Sequence, residues 1–81
     1  MNDMYTTQQI HHATLSALMF TEGTDMQIAA ENMVYDALEQ VATGDQWCEY
    51  EAYCLKATLE ERINEAARII RTCPIHADLG Q

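Results

Sequence analysis

The stretch Asp25–Ala42, DMQIAAENMVYDALEQVA, decides the fold class. Met26, Ala30, Met33, Val34, Ala37, Leu38 and Val41 recur at helical intervals, which puts them on one face. Asp25, Asn32, Asp36 and Glu39 fall on the far side. A narrower stripe of Ile28, Tyr35 and Ala42 lies away from the main apolar face, and reads either as the domain edge or as a partner surface. Gly23 and Gly44 bracket the stretch. Each is followed by a good N-cap, Thr24 or Asp25 after the first and Asp45 after the second. Strand signals are nearly absent, because nothing alternates for long.

Upstream, Thr6 and Gln9 have capping-box spacing and open a helix that runs to about Phe20 or Thr21, with Gly23 as its stop. Ile10, Ala13, Ala17, Leu18 and Phe20 form a wide stripe, while Leu15 and Met19 point elsewhere. Met4–Thr21 holds no Asp, Glu, Lys or Arg, yet its Thr, Gln and His content is too polar for a membrane span. A helix apolar on most sides needs cover on most sides, so the sequence predicts a central core helix or one shared with a second chain.

Downstream, Cys48, Ala52, Leu55, Leu59, Ile63, Ala66, Ile70 and Cys73 keep helical phase. One helix of about 27 residues would satisfy that phase. Thr58 and Glu61 restart a capping box, however, and favour a break near Ala57. Pro74 closes the last helix. The expected architecture is therefore one all-α domain over 1–81, a small bundle of three to four helices at about 7–21, 25–42, 46–56 and 59–72. Its termini should fray at about 1–5 and 75–81. The expected core is Ile10, Leu15, Leu18, Phe20, Met26, Met33, Val34, Leu38, Val41, Trp47, Leu55, Leu59, Ile63 and Ile70, with Ala66 as a small contact. With 81 residues the core is thin, since a chain this short buries only about 60% of its unfolded surface.

Charge carries most of the functional information. Thirteen Asp and Glu face four Lys and Arg, for a formal charge of −9 and a pI near 4.4. That argues against gripping DNA, RNA or an anionic membrane directly. Every basic residue (Lys56, Arg62, Arg68, Arg71) lies in the last third, whereas the first 55 residues hold nine acids and no base. In the last helix the charges suit the dipole, with Glu60 and Glu61 early, Arg68 and Arg71 late, and Glu65 placed to pair with Arg68.

Catalytic chemistry finds little support. Cys73 and His76 have a spacing that half a zinc site can use, but Cys48 and Cys54 are rotated about 240° apart on a helix and cannot face one ion. No metal and no cofactor is expected. His11 is expected to be partly buried and His12 exposed. Nothing fixes a Cys–His pair, no glycine-rich loop cradles phosphate, and the carboxylates nominate no acid–base pair. An acidic helical chain of this size is similar in outline to the acyl carrier proteins. Their prosthetic arm sits on the serine of an Asp-Ser-Leu motif, whereas Ser16 stands in Thr14-Leu15-Ser16-Ala17. The resemblance therefore carries no function over. Three cysteines, without a basic segment leading into an apolar run, predict reduced thiols in a cytoplasm and no signal peptide.

The expected function is that of a non-enzymatic binding protein. It would occupy a basic, nucleic-acid-binding surface on another macromolecule, in its most specific form as a phage-type anti-CRISPR or anti-restriction inhibitor. Asp25, Glu31, Asp36, Glu39, Glu49 and Glu51 would meet Lys and Arg on the target, with Tyr35, Tyr50 and Tyr53 as aromatic anchors. The alternative is a small helical adaptor or dimeric subunit that binds through apolar helix faces, including Ile28 and Tyr35. The expected partners are thus a protein with a basic surface and a second copy in a homodimer, with no direct nucleic acid and no membrane.

Overall fold

Each described helix of this chain opens on a threonine. The structure, a computed structural model, describes residues 5–73 and forms four helices: α1 Thr7–Met19, α2 Asp25–Val41, α3 Gly44–Cys54 and α4 Leu59–Arg71. Thr6, Thr24, Thr43 and Thr58 are the N-caps, and each hydroxyl oxygen accepts the backbone N–H three residues on, from Gln9, Gln27, Gln46 and Glu61. In α1, α3 and α4 the Gln or Glu side chain reaches back to the cap N–H, which closes a full capping box. In α2 the side chain of Gln27 reaches one residue further, and its Oε1 accepts from Gly23 N–H at 3.2 Å.

The break after α3 settles the question left open at Ala57, because the Thr58 box starts a separate helix. Three boundary expectations need correction. Helix α1 stops at Met19, before the turn in which Gly23 adopts φ +91°, a conformation that favours glycine. Gly44 is the first residue of α3 and no stop, since Thr43 and not Asp45 caps that helix. Tyr5 is not frayed; it is half-buried and its hydroxyl donates to Asp36 Oδ2 at 3.4 Å. Residues 1–4, Pro74 as a helix stop, His76 and the tail from Ile75 lie outside the described residues.

The core sits where α1 and α4 pack on α2, while α3 packs against α4. Helix α2 contributes Val34, Ala37 and Leu38, α1 contributes Ile10, Ala13 and Ala17, and α4 contributes Ile63, Ala66, Ala67, Ile69 and Ile70. Five of these eleven are alanines, and small side chains at a crossing let helix axes approach closely. Of the short α3, only Tyr50 is fully buried, with Trp47 half-buried beside it at a ring separation of 6.0 Å.

That packing overturns part of the expected core. Ile10, Val34, Leu38, Ile63 and Ile70 are buried, and Met33, Val41, Trp47 and Leu59 are half-buried. Leu15, Leu18, Phe20, Met26 and Leu55 are exposed. The reason is angular. The inward face of α1 is set by Ile10, Ala13 and Ala17, so Leu15 lies roughly 160° from Ala17 and Leu18 about 100° from it. Leu55 follows the end of α3 and is 85% exposed. His11, expected partly buried, is exposed on the outer side of α1 together with His12.

Candidate functional site

Of the nine proposed contact residues, Tyr50 is buried and Glu31 and Tyr35 are half-buried. Glu31 on α2 faces Arg62 on α4 at 3.6 Å, accepts from Gln27 Nε2 at 3.0 Å and accepts from the Tyr35 hydroxyl at 2.6 Å. Arg62 also donates from Nε to the Tyr35 hydroxyl at 3.4 Å and from Nη1 to the Ala57 carbonyl at 3.3 Å. Tyr50, on α3, donates its hydroxyl proton to the Arg62 carbonyl at 3.1 Å, and its ring lies 6.2 Å from that of Tyr35. One guanidinium thus ties α2, α4 and the α3–α4 loop together.

The electrostatics follow from that enclosure. Burial, and then the bond to Glu31, push the Tyr35 phenol above its ordinary value. Burial does the same more strongly to Tyr50, with Cys54 and Tyr35 adding to it. Arg62 is held more firmly protonated, first by its bond to Tyr35. Groups so engaged are tied to one another within the fold. Tyr50, expected as an anchor, is 5% exposed and cannot meet a partner in this conformation.

The other six candidates are exposed. Asp25, Asp36 and Glu39 share one outer stripe of α2, with Asn32 between them, within roughly 60° of arc and along about 21 Å of helix. Glu49 and Glu51 are exposed on α3, but two residues rotate them about 200° apart, so they do not share a face. Glu49 lies beside Glu65 and Arg68 of α4, around a small hollow that also includes Gln46 and Thr72. Tyr53 is partly exposed at the end of α3.

Among the described residues two ion pairs form within 4 Å, Glu31–Arg62 and Glu65–Arg68. The latter is a two-pronged contact, with Nε to Oε1 at 3.0 Å, and Arg68 holds the Glu65 carboxyl below its ordinary value. Glu22, Asp25, Asp36, Glu39, Asp45, Glu49 and Glu51 are exposed and, among the described residues, have no cation within 4 Å. Glu22 and Asp45 were not singled out from the sequence, although the missing bases before residue 56 already marked them as uncompensated.

A second surface is neutral. Between α1 and α2 runs an open groove of about 380 Å³, with Ala13, Ala29 and Ala30 among its lining residues and Phe20, Met26 and Met33 beside them. Its polar edge is Gln9, His12 and Ser16. Ser16, the residue weighed against a carrier-protein serine, stands in mid-helix on this groove. Among the described residues no three His, Cys, Asp or Glu side chains gather in a way that could hold a metal ion. None of the described helices is long and apolar enough to cross a membrane. Comparison with protein-family models, with curated proteins and with solved structures gives no match to this chain.

Proposed function

We propose that this chain is a non-enzymatic binding protein whose acidic outer face docks on a basic, nucleic-acid-binding surface of another macromolecule. The observation that carries the reading is the set of seven exposed carboxylates from Glu22 to Glu51 that have no cation within 4 Å among the described residues. Left alone they repel one another and weaken the compact state; a partner rich in Lys and Arg relieves that repulsion and is steered to it. The α2 stripe of Asp25, Asp36 and Glu39 is the centre of the proposed contact; Glu49 and Glu51 stand on opposite sides of α3, so at most one of them joins it. Glu31, Tyr35 and Tyr50 act as scaffold behind it. In its most specific form the proposed function is that of an inhibitor of the anti-CRISPR or anti-restriction type, a reading that rests on the acidity of the chain.

The test is a tagged pull-down from bacterial lysate with wild type and Asp36→Asn/Glu39→Gln, washed at low and at high salt. The proposal expects a basic nucleic-acid-binding complex that wild type retains only at low salt and the variant fails to retain. Recovery that is equal for both proteins, or that survives high salt, would remove the charge account.

The uncovered apolar residues on α1 and α2 favour a second reading, an adaptor that binds through apolar faces. It expects partners retained at high salt and lost on substitution of Met26 or Met19.

A further inference from the structure

The outward side of α1 is as distinctive as the acidic stripe, for the opposite reason. Gln8, His12, Leu15 and Met19 follow one another at steps of four, three and four, which is the spacing of a helix–helix seam. All four are exposed, with Leu15 at 45% and Met19 at 78%. Leu18 flanks the seam on one side, and Phe20 and Met26 flank it on the other, next to the alanine-lined groove. None of these residues is an acid or a Lys or Arg, on a chain whose formal charge is −9.

Area and charge together select the occupant. Leu15, Leu18, Met19, Phe20 and Met26 leave the equivalent of roughly two and a half whole large side chains in solvent. At on the order of 150–200 Å² each, that is about 400–500 Å² of apolar surface per chain. Two such faces, with their polar edges, reach the roughly 1,000 Å² that a specific interface needs. A basic partner gains nothing from a face without carboxylates. A second copy matches the face in area and in its lack of charge there, and the repulsion between the two acidic bodies falls outside the contact. It brings an equally neutral face, and it offers a knob (Leu15, Met19) and a groove (Ala13, Ala29, Ala30) that two-fold symmetry can set against each other.

We propose that the charge-free face of α1, with the α1/α2 groove beside it, is the contact surface for a second copy of this chain. Asp25, Asp36 and Glu39 lie on the adjoining arc of α2 and would stand at the rim of the dimer, where they repel across the contact. The dimer should therefore tighten as salt rises, the reverse of the salt response expected for the acidic stripe and its basic partner.

The experiment measures the solution mass of the full chain by light scattering and sedimentation, without any partner, at low and high salt. Wild type at about 100 µM should show twice the 9.2 kDa monomer mass, since a micromolar dimer is largely formed at that concentration. Leu15→Glu/Met19→Glu should show the monomer mass, with association weakened by at least about 100-fold. Met19→Glu alone changes a residue already 78% exposed at the end of α1 and guards against misfolding of the double variant. Its far-ultraviolet dichroism should match wild type while its association weakens. A wild-type monomer at about 100 µM, a Met19→Glu protein as dimeric as wild type, or a dimer that dissociates as salt rises would each overturn the proposal.

Discussion

Replacing Arg62 by Ala should destabilise the fold by about 1.5–2.5 kcal/mol while leaving the acidic stripe intact. Arg62 and Glu31 stand 3.6 Å apart with side chains 28% and 17% exposed. At an effective dielectric constant of about 20, their attraction is on the order of 4–5 kcal/mol before desolvation is subtracted. Partial exposure screens the pair, and much of the remaining attraction offsets the loss of hydration. What survives is carried by hydrogen bonds to a charged group, which contribute about 1.5–3 kcal/mol when one partner is removed. The substitution also frees the Ala57 carbonyl and one side of the Tyr35 hydroxyl. Glu31 keeps its bonds to Gln27 and Tyr35, which limits the damage. Against a total stability of about 4–12 kcal/mol for a chain of this length, the loss is a large share. The assay is urea unfolding followed by far-ultraviolet dichroism, with the midpoint and slope fitted separately. A change below about 0.5 kcal/mol would show that Arg62 does not tie the helices together, and would return Glu31 to the candidate contact surface.

Three further outcomes are expected. Gly23→Ala should lower stability by about 1 kcal/mol because Gly23 sits at φ +91°, whereas Gly44→Ala should raise it by about 0.4–1 kcal/mol because a Cβ there meets nothing within 4 Å; thermal melts of the two variants check the opposite signs. Tyr35 and Tyr50 are raised above the ordinary phenol value of 10.0, so the stability they lend is complete below about pH 10 and is lost as pH rises past it. Phenolate absorbance from this pair should therefore appear together with loss of helical dichroism, and free titration with the helices intact would contradict the burial. Glu65 is lowered below its ordinary value of 4.5, chiefly by Arg68, so its contribution is present above about pH 4.5 and is lost as pH falls through the lowered value. The gap between wild type and Glu65→Gln, a few tenths of a kcal/mol for so exposed a pair, should then close in acid, as denaturant titrations at several pH values will show.

The four helices were legible because local signals and periodicity agreed. Thr58 with Glu61 restarted a helix inside an unbroken apolar phase, and α4 shows the cleanest apolar face of the four, with Ile63, Ala66, Ala67 and Ile70 inward. Thr-x-x-Gln or Thr-x-x-Glu begins each of the four described helices. Reading Gly44 as a stop hid the third of these boxes at Thr43. The core was less legible in α1, where apolar residues cover most of the circumference. Periodicity cannot choose among faces there, and the alanines, rather than Leu15 and Leu18, turned inward to let α1 approach α2 and α4.

Among the candidate contacts, Asp25, Asp36 and Glu39 were readable because one helix sets their common arc. The engagement of Glu31, Tyr35 and Tyr50 within the fold was not legible in the sequence. Their partner Arg62 is 31 residues away from Glu31 in sequence, and only the packing of α4 on α2 brings it within reach. The surplus of acids was visible from composition, but which acid met Arg62 was a tertiary fact.

The measurement that bears most directly on the proposed function is the affinity of wild type and of Asp36→Asn/Glu39→Gln for the basic complex recovered from lysate, followed across a salt series. Wild-type binding should weaken steadily as salt rises, and the variant should bind at least about tenfold more weakly at low salt with a shallower dependence. Equal affinities and equal slopes, with both proteins folded, would mean that the outward carboxylates do not contact the partner.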